Sequence, residues 1–173
     1  MSQYFKIGKF VAVHGLNGEL VLQHSLGKKT SLKGLSCLYL EDLKQSFLPY
    51  FIAGAKIKSE QETLVLLEGV HTREAAKRFS AKEVWMVADD FEKFAGKSAP
   101  ISLLGFHVFQ GNEDLGEILE VVEQPHQILC SILYKGNEAY IPLHEDSLLK
   151  TDRKNRRVYV DLPEGLLDIY SRD

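Results

Sequence analysis

The chain has 173 residues, 45% hydrophobic and 26% charged, a balance that suits one globular domain or two small ones and excludes wholesale disorder. Its formal net charge of -3 is unevenly spread: residues 1–90 carry 12 Lys/Arg against 10 Asp/Glu, or +2, and residues 91–173 carry 9 against 14, or -5. A chain polarised in this way is not the uniformly basic coat of a general nucleic-acid binder.

The N-terminus, MSQYFKIGKF, lacks the apolar stretch and cleavage site of a signal peptide. No apolar run reaches the roughly 20 residues that span a bilayer, so the expected setting is the cytoplasm, with no membrane partner. YFKIGKFVAV reads as a strand with Phe5, Ile7, Val11 and Val13 on one alternating face, Lys6 and Phe10 on the other, and Lys9 interrupting. It breaks at HGLNGE, residues 14–19, where Asn17-Gly18 is a hairpin signal. A phosphate loop is excluded there, because a P-loop needs Gly-Lys-Ser/Thr and a following helix, whereas Glu19 and a strand-like run follow here. ELVLQH, GLSCLYLE, SFLPYFIAGAKI and ETLVLLEG continue as strands, with Pro49 marking its run as an edge or bulged one. HTREAAKRFS is the one helix. Thr72 is its N-cap, Glu74 sits in the first turn, Ala75, Ala76 and Phe79 share a side, and Glu74 and Arg78 are spaced to pair. KEVWMV, residues 82–87, returns the chain to the sheet, so residues 1–88 are expected to form a small antiparallel barrel.

DDFEKFAGKSAP, residues 89–100, is acidic and then rich in Gly, Ser and Pro, and reads as a linker. Residues 101–173 resume the all-β pattern with GFHVF, DLGEILEVVEQ, QILCSILY, EAYIPL and RRVYVDL. Turn-forming GNED, KGNE and DRKN separate them.

Little in the chain suggests turnover. Cys37 and Cys130 sit among apolar neighbours as small buried hydrophobes, with no zinc or disulfide spacing. None of His14, His24, His71, His107, His126 and His144 falls in a metal-binding motif. His144-Glu145-Asp146 is the nearest thing to a ligand set, but adjacent residues on a strand point to opposite faces. No catalytic, cofactor-binding or metal residue is therefore expected. Two basic clusters, Lys28, Lys29 and Lys33 in one loop and Arg153, Lys154, Arg156 and Arg157 in another, are candidates for RNA phosphates, with solvated surface as the equal alternative. The bend itself offers His14, Leu16 and Asn17 as partner-contact candidates on a barrel rim.

Five segments in order carry a resemblance. IGKFVAVHGLNGELVL (7–22) resembles the opening signature of the RimM ribosome maturation factors, and LEGVHTREAAKRFSAKEVWM (67–86) is similar to their second signature. LGEILEVV, YIPL and LPEGLLDIY resemble the markers of that family's C-terminal domain. The resemblance implies an all-β chain of two small barrels: an N-terminal six-stranded translation-factor-like barrel with one short helix, and a C-terminal PRC-type barrel. It also implies a function without catalysis in late assembly of the 30S head; a monomer is expected. Its partners would be the precursor 30S particle, the 3′ domain of 16S rRNA and the nineteenth small-subunit ribosomal protein. The family's Tyr-Tyr-Trp-x-Asp-Leu-Ile-Gly segment, whose aromatic pair is implicated in docking that protein, aligns with Ser98-Ala99-Pro100-Ile101-Ser102-Leu103-Leu104-Gly105, so neither Tyr is present. A Gly-Ala-x-Asp marker reads Gln124-Pro125-His126-Gln127. Phe91, Phe94 and Phe106 are the nearby aromatic residues available to replace the missing anchor. The alternatives are a general RNA-binding barrel and an rRNA-processing enzyme; the enzyme would need a cleft gathering two or more of His14, His71, His107 and His144.

Overall fold

β1 (Tyr4–His14) begins with the alternation its sequence announces, Phe5 and Ile7 both buried, and then departs from it. The computed structural model describes residues 3–171. Between Phe10 and Ala12 the pairing of β1 with β2 (Glu19–His24) shifts by one residue. Because the side-chain period of a strand is two, such a bulge sends every later residue to the opposite face. The reversal at Phe10, fully buried, and Val11, 36% exposed, begins earlier, where the pairing of β1 with residues 83–87 shifts between Lys6 and Gly8.

β3 (Cys37–Leu43), β4 (Ser46–Ile57), β5 (Glu62–Leu67) and β6 (Glu83–Val87) complete a closed barrel in the order β1-β2-β5-β4-β3-β6. β4 is shared end to end: residues 46–51 pair with β3 and residues 52–57 with β5. Pro49 lies in the half with one neighbour, where a missing N–H costs no ladder bond. Ile7, Phe10, Leu20, Leu22, Leu38 and Met86 fill the interior. α1 (Arg73–Lys77) starts where expected, with Thr72 Oγ1 accepting the Ala75 N–H at 3.1 Å, and Ala76 and Phe79 buried beneath it. The Arg78 guanidinium lies 4.6 Å over the Phe79 ring.

The stretch read as a linker is partly helical. α2 (Ala88–Phe94) has Asp89 and Asp90 in its first turn and Lys93 in its last, charges that suit the helix dipole. It buries Phe91 edge-on against Phe5, ring centroids 5.1 Å apart. One compact unit spans Met1–Ser102 and a second Leu103–Asp173.

The second unit contains two sheets. β7 (His107–Gln110), β8 (Glu113–Glu117), β12 (Leu148–Asp152) and β13 (Arg157–Val160) form one in the order β12-β13-β7-β8, with β13 parallel to β7. β9 (Glu120–Gln124), β10 (Gln127–Tyr134) and β11 (Asn137–Leu143) form the other. The segment expected as one strand, DLGEILEVVEQ, is two: Ile118 donates to Phe106 and Leu119 to Ser131, so the chain crosses between sheets there. Val108, Ile118, Cys130, Ile132, Ile141 and Val158 are each fully buried. β12 and the short α3 (Leu166–Tyr170) were not anticipated from the sequence. The chain is all-β with three short α-helices and one 3-10 turn (Pro100–Leu103) among the described residues, and none of these helices is long and apolar enough to cross a membrane.

Candidate nucleic-acid and protein interfaces

HGLNGE forms a hairpin. His14 pairs with Glu19, and the loop between them turns through Gly15 at φ 69° and Gly18 at φ 93°, values glycine adopts without steric cost. The loop is held against the start of α1: Arg73 Nη1 donates to the Gly15 carbonyl at 3.0 Å, and a Cβ on Gly18 would sit 2.8 Å from the Val70 carbonyl oxygen. His14, Leu16 and Asn17 are all exposed, Leu16 by 79%. A leucine so exposed on an anchored tip is available to a partner.

The loop between β2 and β3 carries Lys28, Lys29 and Lys33, all exposed, on a buried frame of Leu26, Leu32 and Leu35. Thr30 ties the frame together. Its carbonyl accepts the Thr63 hydroxyl at 2.7 Å and its Oγ1 accepts the Leu32 N–H at 3.0 Å. At the loop's start, Leu26 donates to Nδ1 of the buried His24 at 3.3 Å, and the Leu26 carbonyl accepts from Gly96 at 2.7 Å. The lysines therefore project from a fixed platform, with Lys29 Nζ 3.5 Å from Glu60. Fixed charges give up less conformational entropy to a phosphate than mobile ones do.

The second basic cluster is divided by its stacking. Arg156, at φ 57°, lies 5.0 Å over Phe106 and donates to the Leu104 carbonyl at 3.3 Å, and Arg157 lies 4.6 Å over Phe109. Arg153 and Lys154 occupy the exposed turn between β12 and β13. Asp152 braces that turn, accepting from the Asn155 backbone and side chain at 3.1 and 2.9 Å, bonds that hold its carboxyl below the usual carboxylate range.

Two of the three aromatic residues available as a replacement anchor are core residues. Phe91 is 4% exposed under α2 and Phe106 is 4% exposed under Arg156, so neither presents a face to a partner. Phe94 is half-buried. His144, Glu145 and Asp146 also differ from expectation. They lie in a turn after β11, not on a strand, and with residues 124–127 they line an open cleft of about 620 Å³. Of the four histidines that would mark a catalytic cleft, this one contains His144 alone. Among the described residues no group of three His, Cys, Asp or Glu is placed to hold a metal ion. Cys130 is fully buried and its thiol is pushed up to about 12 by burial, which leaves it unreactive.

Residues 5–91 match a family model described as the RimM N-terminal domain, and residues 100–166 match one described as the RimM PRC barrel domain. The chain belongs to the RimM family. A "Ribosome maturation factor RimM" from Parabacteroides distasonis is 33% identical over 172 residues, covering 97% of this chain and 98% of that one. One from Phocaeicola vulgatus is 32% identical over 176 residues, covering 96% and 98%. The N-terminal domain of RimM from Thermus thermophilus, solved in solution, aligns over 51% of this chain and 93% of its own at 22% identity, with a TM-score of 0.40.

In this RimM chain two half-buried aromatic groupings carry no signal in the local sequence. Tyr4, Tyr39, Phe47 and Trp85 form an aromatic cluster, Tyr4 stacked on Phe47 at 4.3 Å and Phe47 tilted against Trp85 at 4.8 Å. Phe109 and Tyr159 meet at 5.7 Å on neighbouring strands of the second unit. Period-two alternation around the buried Val108 and Val158 places both rings on outer faces. Their meeting depends on the parallel pairing of β7 with β13, which no local signal specifies.

Proposed function

We propose that this chain is a cytoplasmic, monomeric ribosome maturation factor that acts without covalent chemistry. Its task is to assist late assembly of the 30S head by holding a ribosomal protein and the 3′ domain of 16S rRNA in register. The observation that carries this reading is RimM membership through both units in order, with curated ribosome maturation factors matching from end to end.

Charge supports a division of labour. Lys28, Lys29 and Lys33 stand on a fixed loop of the more basic half and have the sign to meet rRNA phosphates. The C-terminal half, at -5, has the sign to steer and orient a basic ribosomal protein, the nineteenth of the small subunit in this proposal. Its open cleft is lined by Glu145 and Asp146 together with Gln124 and Gln127, a set that fits an Arg or Lys side chain. With Ser98 and Ala99 in place of two tyrosines, docking relies on this charged cleft and on the exposed Leu16 tip more than on an aromatic anchor.

A pull-down from lysate with the tagged chain tests the proposal. Recovery of precursor 30S particles and that ribosomal protein supports it. Recovery of neither contradicts it.

A further inference from the structure

The outer face of the four-stranded sheet in the second unit has the parts of a platform for unpaired nucleotides. β13 places Arg157 beside His107 and Tyr159 beside Phe109. β12 extends these rows with Asp152 beside Arg157 and Lys150 beside Tyr159, and β8 adds Glu117 and Asp114. The intervening Val108, Val158 and Val160 are at most 1% exposed, so the first set faces outward. There the Phe109 and Tyr159 rings lie 5.7 Å apart at 39°, and the Arg157 guanidinium is 4.6 Å from the Phe109 centroid.

Charge on this unit is sharply segregated. Residues 150–157 hold five cations, Lys150, Arg153, Lys154, Arg156 and Arg157, against Asp152 alone; the rest of 103–173 holds two cations and twelve carboxylates. The carboxylates among the basic rows are already engaged. Asp114 accepts the Gly116 N–H at 2.9 Å and lies 3.0 Å from His107 Nδ1, while Asp152 is held by Asn155. Glu117 lies on the edge strand β8.

We propose that this face binds single-stranded RNA, with bases stacking on Phe109 and Tyr159 while Arg157, Lys150 and Lys154 meet the phosphates. The proposal rests on the rRNA half of the function above and specifies its chemistry: unpaired nucleotides in place of a duplex. Every base has a π-face, so two rings on a sheet surface select for unstacked bases and not for sequence. An A-form duplex hides those faces and offers backbone, 2′-hydroxyls and base edges instead. A basic protein would meet five like charges on this hairpin.

The test is fluorescence anisotropy on the full chain with a labelled oligouridylate of roughly 12 nucleotides, within the usual span of a single-strand site, and a duplex of equal length. The double variant Phe109→Leu/Tyr159→Leu keeps apolar bulk and removes the rings. It is expected to bind the oligouridylate roughly 10-fold or more weakly with an unchanged salt slope. Arg157→Gln is expected to lower that slope by about 0.7. Arg157 is exposed, so this variant decides the matter should the double leucine variant not fold, as judged by circular dichroism. Unchanged affinity and slope in both variants, or tighter binding of the duplex by the wild type, overturns the proposal. Wild-type co-sedimentation with precursor 30S particles, run alongside, reports separately on the maturation function.

Discussion

His24 is 2% exposed and held in one tautomer, with Nδ1 accepting the Leu26 N–H at 3.3 Å, so that the ring proton sits on Nε2, which is buried without a partner. Burial keeps its pKa below the ordinary 6.5. Protonation would place a second N–H at Nδ1, pointing at the Leu26 donor that begins the lysine loop. The unfolded chain takes up this proton near pH 6.5 and the folded chain only at lower pH. Between those values the unfolded state binds more protons, so stability falls as pH falls. The contribution is complete above about pH 6.5 and is lost as pH drops through the folded pKa, with a limiting slope of about 1.4 kcal/mol per pH unit. His24→Asn keeps an acceptor close to the Nδ1 position and cannot titrate. Urea unfolding followed through Trp85, the chain's one tryptophan and a barrel residue, compares the two proteins from about pH 8 to about pH 5. The stability gap between wild type and variant should be constant above about pH 6.5 and should narrow below it at up to that slope. A gap constant across the range would refute the reasoning.

Other consequences are accessible to the same methods. Gly18→Ala combines a left-handed backbone with a Cβ 2.8 Å from the Val70 carbonyl oxygen and should cost about 2–4 kcal/mol in urea unfolding. Thr72→Ala removes the acceptor for the Ala75 N–H and should cost about 1 kcal/mol by the same assay. Iodoacetamide at about pH 8 should modify Cys37 and spare Cys130 in the native protein, read by mass spectrometry, because the Cys130 thiol is raised to about 12. Reversing Lys28, Lys29 and Lys33 to Glu should weaken co-sedimentation with precursor 30S particles. Neutralising them should lower the salt slope by about 2–3, and by less if Lys29 stays with Glu60.

Local signals in the sequence were sufficient where structure is locally determined. Asn17-Gly18 marked the first hairpin, Thr72 the start of α1, and the bounds of β2, β4 and β10 coincide with their apolar runs. What escaped depends on distant pairing. The register shift between Lys6 and Gly8 arises where β1 meets β6, and it reverses the faces expected for Phe10 and Val11. DLGEILEVVEQ looked continuous because nothing in it records that Ile118 and Leu119 pair with different sheets. α2 was hidden by its acidic start, which reads as linker until Phe91 is seen against Phe5. At the candidate interfaces the charges were legible as clusters. The stacking of Arg156 and Arg157, the burial of Phe91 and Phe106, and the meeting of Phe109 with Tyr159 are tertiary facts.

The account turns on a factor that recognises an unfinished small subunit and works by binding alone. Sucrose-gradient co-sedimentation of the purified chain with precursor and mature 30S particles, at physiological salt and without added cofactor or nucleotide, addresses it most directly. The account predicts stoichiometric binding to the precursor, little to the mature particle, and loss of binding when Lys28, Lys29 and Lys33 are reversed. Equal binding to both particles, or binding to neither, would contradict it.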